Sequence, residues 1–485
     1  MSRVTPITKV ERVVPNALVP SAGRTSALRS TRSTRLNRRG SVLIIVMWIC
    51  LGLVALTLYF ANSMSSELHA ADNRVSEVEA RQAIVGATRY ANYILTNYAT
   101  GGTVPNIRST TTTPDYKAEA VPVGDAQFWF IGRDNDNTDT ASPTEPYYAL
   151  VDESSKLNLN TATSAMLQSL PGMTPDLADA IIAWRSTNTQ ISGNADNNYT
   201  QLDPPRHNKG APFETTDELR LVNGMTLDLL LGEDTNRNGV LDPNEDDGDQ
   251  SAPHDDQNGQ LLPGFLEYVT VYSRLPTTSA SGQRRIDIRT PQSRQLNNQL
   301  RTRLTARGID SGRAGQIVLR AGANTFGSVL EFMLVTQMTS DEWALVHTDL
   351  TAFDNATAVG LVNVNTASQT VLACIPGIGP DNAATLVAYR QQNPDSLTNF
   401  AWLAQTGVSR GSLIRAGAYL TDESYQFTAD IAAVANNGRG YCRERLVFDT
   451  TSAGAPRIVF RQDLTPFGWA LGTSARQNLR ATKNT

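Results

Sequence analysis

An uninterrupted apolar run near the start of the chain constrains the fold more than any other feature. Residues 42–61 read VLIIVMWICLGLVALTLYFA and contain no charged side chain. About twenty apolar residues in a helix span the ~30 Å hydrocarbon core of a bilayer, because each residue adds about 1.5 Å. The run therefore predicts a membrane-spanning helix. The alternative is a cleaved secretory signal, but the run is longer than a signal core and no Ala-x-Ala site follows it.

Basic side chains precede this run, and the rest of the chain is acidic. Residues 1–40 contain nine Lys or Arg and one acidic residue, whereas residues 41–485 contain 33 basic and 46 acidic residues. Positive charge beside a membrane helix favours the cytoplasmic side, so the residues after 61 are predicted to lie across the membrane. The acidic body repels phosphate backbones and favours cations.

Apolar residues continue at three- and four-residue spacing beyond the membrane run, for example at Leu68, Val75, Val78 and Ile94. No Pro interrupts this pattern up to Tyr98. The spacing predicts that the same helix continues to about Tyr98 and carries an apolar face that needs a cover.

A short pattern then occurs three times. LNLNTA begins at Leu157, VNVNTA at Val362 and the weaker IDIRT at Ile286, and a helical pattern follows each copy. We expect each copy to be a short strand, an Asn-Thr N-cap and two helices joined by a tight turn, with a third helix packed against them. The first copy has insertions near residues 187–211 and 232–262.

One of these insertions contains a calcium-loop motif, DTNRNGVLDPNE, which begins at Asp234. Calcium prefers six to eight oxygen ligands, and the twelve-residue loop places them at fixed positions around a glycine turn. Gly239 occupies the turn position, where a Cβ is disfavoured. The predicted calcium ligands are Asp234, Asn236, Asn238, the Val240 carbonyl, Asp242 and Glu245. Because two of them are neutral Asn, we expect micromolar or weaker affinity.

An acidic tract follows this loop. Its candidate ligands for a second calcium ion are Asp247, Asp249, Asp255 and Asp256. Their spacing is irregular, so a solvated acidic loop is an equal alternative.

Aromatic and β-branched segments flank the three copies. Residues 127–132 and 147–152 precede them, and residues 425–434, 443–450 and 457–461 follow them. An antiparallel sheet built from both sets would cover the long helix. The predicted fold is therefore α+β, with the three helical modules as one large insertion. Cys374 and Cys442 could pair if they lie close together.

The residues around the start of the membrane run resemble a known family. Arg38-Arg39-Gly40, followed by Ser41 and the apolar run, is similar to the prepilin peptidase site of type IV pilins and type II secretion pseudopilins. The resemblance implies cleavage between Gly40 and Ser41. Family members normally carry Glu at the fifth mature position, where this chain has Ile45. In that departure the chain resembles the minor pseudopilin K family, whose subunits suit only the end of a filament.

This resemblance implies a pilin-like fold with inserted helical domains of the SAM-like, helix-hairpin-helix type, and calcium bound in a helical-domain loop. It implies a single-pass protein of the cytoplasmic membrane with its bulk in the periplasm. The implied partners are the I, J and H minor pseudopilins, the inner-membrane secretion platform and prepilin peptidase. The expected segments are a basic leader (1–40), the pilin helix (41–98), the first part of the sheet (99–156), three helical modules (157–284, 285–360 and 361–424), the last part of the sheet (425–465) and a disordered tail (466–485).

Two other functions fit parts of the sequence. The turn Pro376-Gly377-Ile378-Gly379 resembles helix-hairpin-helix DNA-binding proteins, which makes a membrane-anchored DNA-uptake protein the main alternative. Asp176 and Asp381 follow the turns where such proteins usually carry basic residues, so nucleic-acid binding is not expected. A calcium-dependent hydrolase would need a catalytic constellation, and the four His lie in unrelated contexts. We therefore predict a protein that is not an enzyme.

Overall fold

The computed structural model describes most of the chain after residue 40. The described residues are 41–107, 113–136, 145–251, 253–276, 278–279, 282–289, 293–322, 324–353, 357–435, 438–452 and 454–482. The predicted leader, with Gly40, lies outside them. The described residues form two compact units, one that ends at Leu68 and one that begins at His69.

The helices begin with one long element, as the sequence predicts. In chain order they are α1 (Ser41–Tyr98), α2 (Ser164–Gln168), α3 (Pro175–Arg185), α4 (Thr189–Thr200), α5 (Leu227–Leu231), α6 (Phe265–Tyr268), α7 (Arg294–Ala306), α8 (Ser311–Ala321), α9 (Val329–Thr336), α10 (Ser340–Val346), α11 (Gln369–Ala373), α12 (Gly379–Gln392), α13 (Arg410–Gly417) and α14 (Gly472–Thr482). The predicted end of the first helix at Tyr98 is confirmed.

The strands divide into one large sheet and several short pairs. In chain order they are β1 (Val121–Val123), β2 (Ala126–Phe130), β3 (Val151–Asp152), β4 (Leu157–Asn158), β5 (Val269–Thr270), β6 (Arg274–Pro276), β7 (Ile286–Asp287), β8 (Leu350–Thr351), β9 (Thr357–Val359), β10 (Val362–Asn363), β11 (Leu420–Thr421), β12 (Gln426–Ala435), β13 (Arg439–Asp449) and β14 (Arg457–Asp463). The large sheet has the antiparallel order β1-β2-β12-β13-β14, with β3 also paired to β12.

The second half of α1 packs on one face of this sheet. Its buried side chains are mostly small, which lets a helix approach a sheet closely, and they meet Phe128, Phe130 and Phe427 in one apolar cluster. The helix side chains in this cluster are Ala80, Ala83, Ile84, Ala87, Ala91, Ile94 and Leu95. The predicted α+β fold, a long helix on an antiparallel sheet, is confirmed.

Strand β12 is buried along its whole length because both faces of the sheet are covered. Ala429 and Ile431 face α1, whereas Ala432 and Val434 belong to a second cluster on the opposite face. Alternation of side chains along a strand separates the two sets.

The C-terminal segment supplies that second cover. The tail was predicted to be disordered, and its described part differs: α14 forms there, and Ala470, Leu471 and Ala475 are buried against Trp129 and Ile131. The segment is mostly polar, so its composition did not indicate that a few apolar residues pack on the sheet.

The helical modules are inserted at one point of the sheet. Phe427 of β12 pairs with Asp152 of β3, so the chain leaves the sheet and returns to it at adjacent strands. A two-residue parallel pair closes each module: β4 with β5, β7 with β8 and β10 with β11. The three predicted modules are thus present, and their apolar residues form one continuous core.

The helix caps lie later in each module than predicted. Thr163 and Ser368 cap α2 and α11, and each accepts a hydrogen bond from an amide of its first helical turn. Asn158 instead accepts from the amide of Asn160, and Asn160 bonds the backbone of Phe213. The Asn-Thr pair therefore shapes the turn between strand and helix, and the prediction that it caps the helix is wrong.

Cys374 and Cys442 are both free and buried. Cys374 lies in the core of the modules and Cys442 in the cluster between α1 and the sheet. The pairing that the sequence left open does not form.

Candidate functional site

The predicted calcium loop connects α5 to α6 and lies between the first module and the sheet. Asp234, Asn238, Val240 and Glu245 are buried, although the loop is rich in polar residues. Carboxylates are rarely buried without partners, since removing a charge from water is costly. The hydrogen bonds within the loop show how these groups are held.

The first half of the loop curls around the Asp234 carboxylate. Its two oxygens accept hydrogen bonds from the amides of Asn238, at 2.8 Å, and Gly239, at 2.9 Å. Gly239 has φ +74°, the left-handed conformation that glycine adopts without strain. The sharp turn expected at this position is therefore present.

Glu245 ties the end of the loop to its start. One carboxylate oxygen accepts from the amide of Thr235 at 3.0 Å, and the other accepts from the amide of Asp242 at 3.1 Å. Asp242 in turn accepts hydrogen bonds from the carboxamides of Asn236, at 2.6 Å, and Asn238, at 3.0 Å. The predicted side-chain ligands are thus joined in one network.

Burial disfavours the charged forms of the carboxylates in this network. It raises the pKa of Glu245 to about 7 and also raises the pKa of Asp234, although the nearby Arg133 guanidinium opposes the second shift. The predicted metal ligands of the loop are all hard oxygen atoms, the type that calcium prefers. The donor set of residues 234–245 therefore fits a calcium ion, which would add positive charge and order the loop.

The acidic tract after the loop is arranged differently. The Asp255 carboxylate accepts from the amides of Asp247 and Gly248, and Asp247 bonds Ser251. Asp249 pairs with His254 on the surface, and Asp256 accepts from the amide of Asn258. The tract uses its carboxylates to hold its own backbone, and the second calcium site stays a prediction.

Two arginines that the sequence did not point to hold the loop at residues 234–245: Arg443 of the sheet, and Arg133, which follows β2. Arg443 of β13 donates to the carbonyls of Asn236 and Arg237 and pairs with the buried Asp430 at 2.8 Å. Arg133 donates to the carbonyl of Arg237 at 3.2 Å and lies 3.4 Å from the Asp234 carboxylate. Arg133 follows β2, and Arg443 is one of several charged residues in β13, so neither position stands out in the sequence.

A second polar group lies where the modules join the sheet. Nδ1 of His347 lies 3.7 Å from the Asp422 carboxylate and 3.9 Å from that of Glu423. One atom of each of these three residues could bind a metal ion, and these atoms lie within 4.8 Å of one another. Within the described part of the chain, this is the one group of three or more His, Cys, Asp or Glu residues with that geometry. Arg285 donates to both oxygens of Glu423, and Trp343 donates to Asp422, so the carboxylates already have partners. The sequence analysis assigned no role to His347.

In the first two hairpins, a side chain already accepts hydrogen bonds from amides at the start of the second helix. Thr174 caps α3, and Asp310 accepts from the amides of Gly312 and Arg313 in the first turn of α8. In the third copy, a Cβ at Gly377 would lie 2.6 Å from the Ser412 carbonyl oxygen, so this turn packs against α13. Phosphate binding at helix starts requires accessible amides, and this geometry does not favour DNA binding.

The apolar start of α1 is fully exposed, and Ile45 has 56% of its surface exposed. Within the described residues, α1 is the helix long and apolar enough to cross a membrane. This agrees with the predicted single-pass anchor.

These features define a class of protein: a pilin-like fold whose long helix begins with a segment apolar enough to cross a membrane, and whose sheet is interrupted by three helical hairpin modules. Residues 134–231 match the family model of type II secretion system protein K, and residues 358–399 match that of the helix-hairpin-helix motif. At residues 134–231 the chain is thus similar to the protein K component of type II secretion, which supports the family resemblance drawn from the sequence.

A solved structure is also similar to the chain. It is a chain of the GspK-GspI-GspJ complex from the type 2 secretion system of enterotoxigenic Escherichia coli, with 13% sequence identity and a TM-score of 0.34. The match covers 80% of this chain and 98% of that chain. No curated protein matches the chain.

Proposed function

We propose that this chain is a minor pseudopilin that occupies the tip of the type II secretion pseudopilus and starts its assembly. The observation that carries the proposal is the combination of an exposed apolar anchor helix, Ile45 in place of the usual Glu, and a bulky insertion in the sheet. The role is assembly rather than catalysis, in support of protein export across the outer membrane.

The anchor would lie in the inner membrane, with the sheet and modules in the periplasm. Prepilin peptidase would cleave between Gly40 and Ser41, so that α1 begins at the mature amino terminus. A filament subunit needs a Glu to neutralise the amino terminus of its neighbour, and Ile45 has no charge for this. The chain would therefore accept subunits on one side only.

An exposed apolar stripe on the second half of α1 is the proposed contact for other minor pseudopilins. Val75, Val78, Val85 and Tyr93 have 57%, 58%, 39% and 56% of their surfaces exposed. Their spacing places them on one side of the helix, opposite the alanines that pack on the sheet. Exposed apolar residues grouped on one side of a helix are typical of protein interaction surfaces. The partners proposed for it are the I and J components, which share the similar complex, and the H component.

Copurification from membranes tests the stripe. Val78→Asp should reduce recovery of the I and J components at least about tenfold, since it places a charge in an apolar interface. Asn73→Asp adds the same charge to an exposed position of α1 on the side opposite the stripe and should leave recovery unchanged. Equal recovery with both variants would contradict the proposed contact.

The position in the filament needs a separate measurement. A label on the periplasmic modules should mark one end of each pseudopilus in electron micrographs. Labels distributed along the filament would overturn the tip assignment.

Calcium binding at residues 234–245 is the second part of the proposal. Asp234, Asn236, Asn238, Asp242 and Glu245 would hold the ion with the Val240 carbonyl, and its role would be structural. Because Arg443 holds this loop against the sheet, an ordered loop would also fix the first module on the sheet.

A further inference from the structure

The second helical module carries an open groove between β7 and α7. The groove has a volume of about 1290 Å³. Its lining contains five arginines and a set of uncharged polar side chains: Arg284, Arg285, Arg294, Arg303, Arg307, Gln283, Gln295, Asn298, Gln299 and Thr302. We name this feature the arginine groove.

The charge of the arginine groove is opposite to that of the rest of the chain. Its five arginines and the adjacent Arg289 face three carboxylates, those of Asp287, Asp349 and Glu423, so three positive charges remain. Residues 41–485 together have 13 more acidic than basic side chains. A local concentration of positive charge on an acidic protein creates a field that attracts anionic groups to that place.

Two of these arginines have guanidinium groups available to a ligand. Arg284 and Arg294 are both exposed. The charge of Arg284 also acts on Asp287, whose carboxylate pairs with Arg289. Arg303 and Arg307 lie deeper and share the fully buried Asp349, at 2.9 Å and 2.5 Å. One carboxylate therefore serves two cations at the base of the groove.

We propose that the arginine groove binds an extended acidic segment of a partner polypeptide. Guanidinium groups bind carboxylates through paired hydrogen bonds, and the Gln and Asn carboxamides along α7 can bond a peptide backbone. The lining has no aromatic side chain among its described residues, whereas sites for single-stranded nucleic acid usually stack bases on aromatic rings. The proposal does not depend on the tip assignment, because it rests on the charge and shape of this module alone.

Fluorescence anisotropy of a labelled oligoglutamate peptide tests the proposal, with the full chain in nonionic detergent. Arg284→Gln combined with Arg294→Gln should raise Kd about tenfold. The control combines Arg206→Gln with Arg457→Gln, which removes the same charge from exposed positions outside the groove. This control should bind like the wild type, and added salt should weaken the wild-type complex.

Three results would overturn the proposal. They are absence of peptide binding by the wild type, an equal loss of affinity in the control variant, and stronger competition by a thymidine oligonucleotide than by unlabelled peptide. Because both groove positions are exposed, the double variant should melt at the wild-type temperature, which separates lost binding from lost folding.

Discussion

Asp234 is the residue on which the calcium proposal can be tested most directly, because its carboxylate organises the first half of the loop. Calcium at a hundred times its Kd should add about 2.7 kcal/mol to the free energy of unfolding. We predict that Asp234→Ala removes this increase. Thermal melts with calcium and with chelator measure it.

The control for this experiment is Asp125→Ala, which removes a carboxylate from an exposed turn between β1 and β2. This variant should keep the full calcium effect. A wild-type melt that does not change when calcium is chelated would refute the loop assignment.

His347 is predicted to make the stability of the molecule depend on pH. Burial of the ring opposes protonation, but the carboxylates of Asp422 and Glu423 outweigh burial and raise the pKa of His347 above its usual value. Arg285 compensates one of these two charges, and an imidazolium would compensate the other. Since the pKa is higher in the folded state, the stabilisation is complete below the unfolded value, about 6.5, and is lost as pH rises through the folded pKa.

Unfolding titrations of the wild type and of His347→Gln measure this effect. The stability difference between them should be larger at about pH 6 than at about pH 9, because only the charged ring interacts with the carboxylates. A stability difference that does not change with pH would mean that His347 contributes through packing alone and not through its charge.

At the scale of elements, the C-terminal segment is predicted to be a necessary cover of the sheet. Leu471 is fully buried against the sheet face that carries Trp129 and Ile131. Leu471→Ala should destabilise the protein by about 2–5 kcal/mol, the usual cost of such a cavity. Gln477→Ala, at an exposed position of α14, should have little effect, and chemical denaturation distinguishes the two. Similar stability of both variants would mean that the C-terminal segment is not part of the core.

The first and third modules also share an arginine contact at the end of the second hairpin helix. Arg185 and Arg390 end the matching segments of the first and third copies. Arg185 donates to the carbonyls of Leu159 and Ala162, and Arg390 donates to that of Val364 at 2.9 Å. Each arginine thus joins the second helix of a hairpin to the backbone after its first strand. An arginine recurring at the end of an apolar helix was the available signal.

At the scale of the whole molecule, maturation is predicted to begin with removal of residues 1–40. Gly40→Leu should block cleavage by prepilin peptidase, because the peptidase site that this segment resembles has glycine there. Mass spectrometry of the wild type should find Ser41 at the mature amino terminus. Normal maturation of the variant, or a mature terminus far from Ser41, would contradict the predicted site.

The sequence by itself determined the parts whose physics is local. An uncharged run of apolar residues specifies a helix apolar enough to cross a membrane, helical spacing extends it to Tyr98, and the repeated strand-helix pattern specifies three modules. The oxygen donors at residues 234–245 follow from spacing along one short loop. Each of these inferences needs only neighbours in the chain.

Tertiary structure decided what depends on residues far apart in the chain. The insertion point is set by pairing of Asp152 with Phe427, and the calcium loop is held by Arg443, which lies about two hundred residues away. Docking of α14 and the collection of arginines around one groove likewise follow from packing. Periodicity describes which face of an element is apolar but not which distant element covers it, so these contacts required the folded structure.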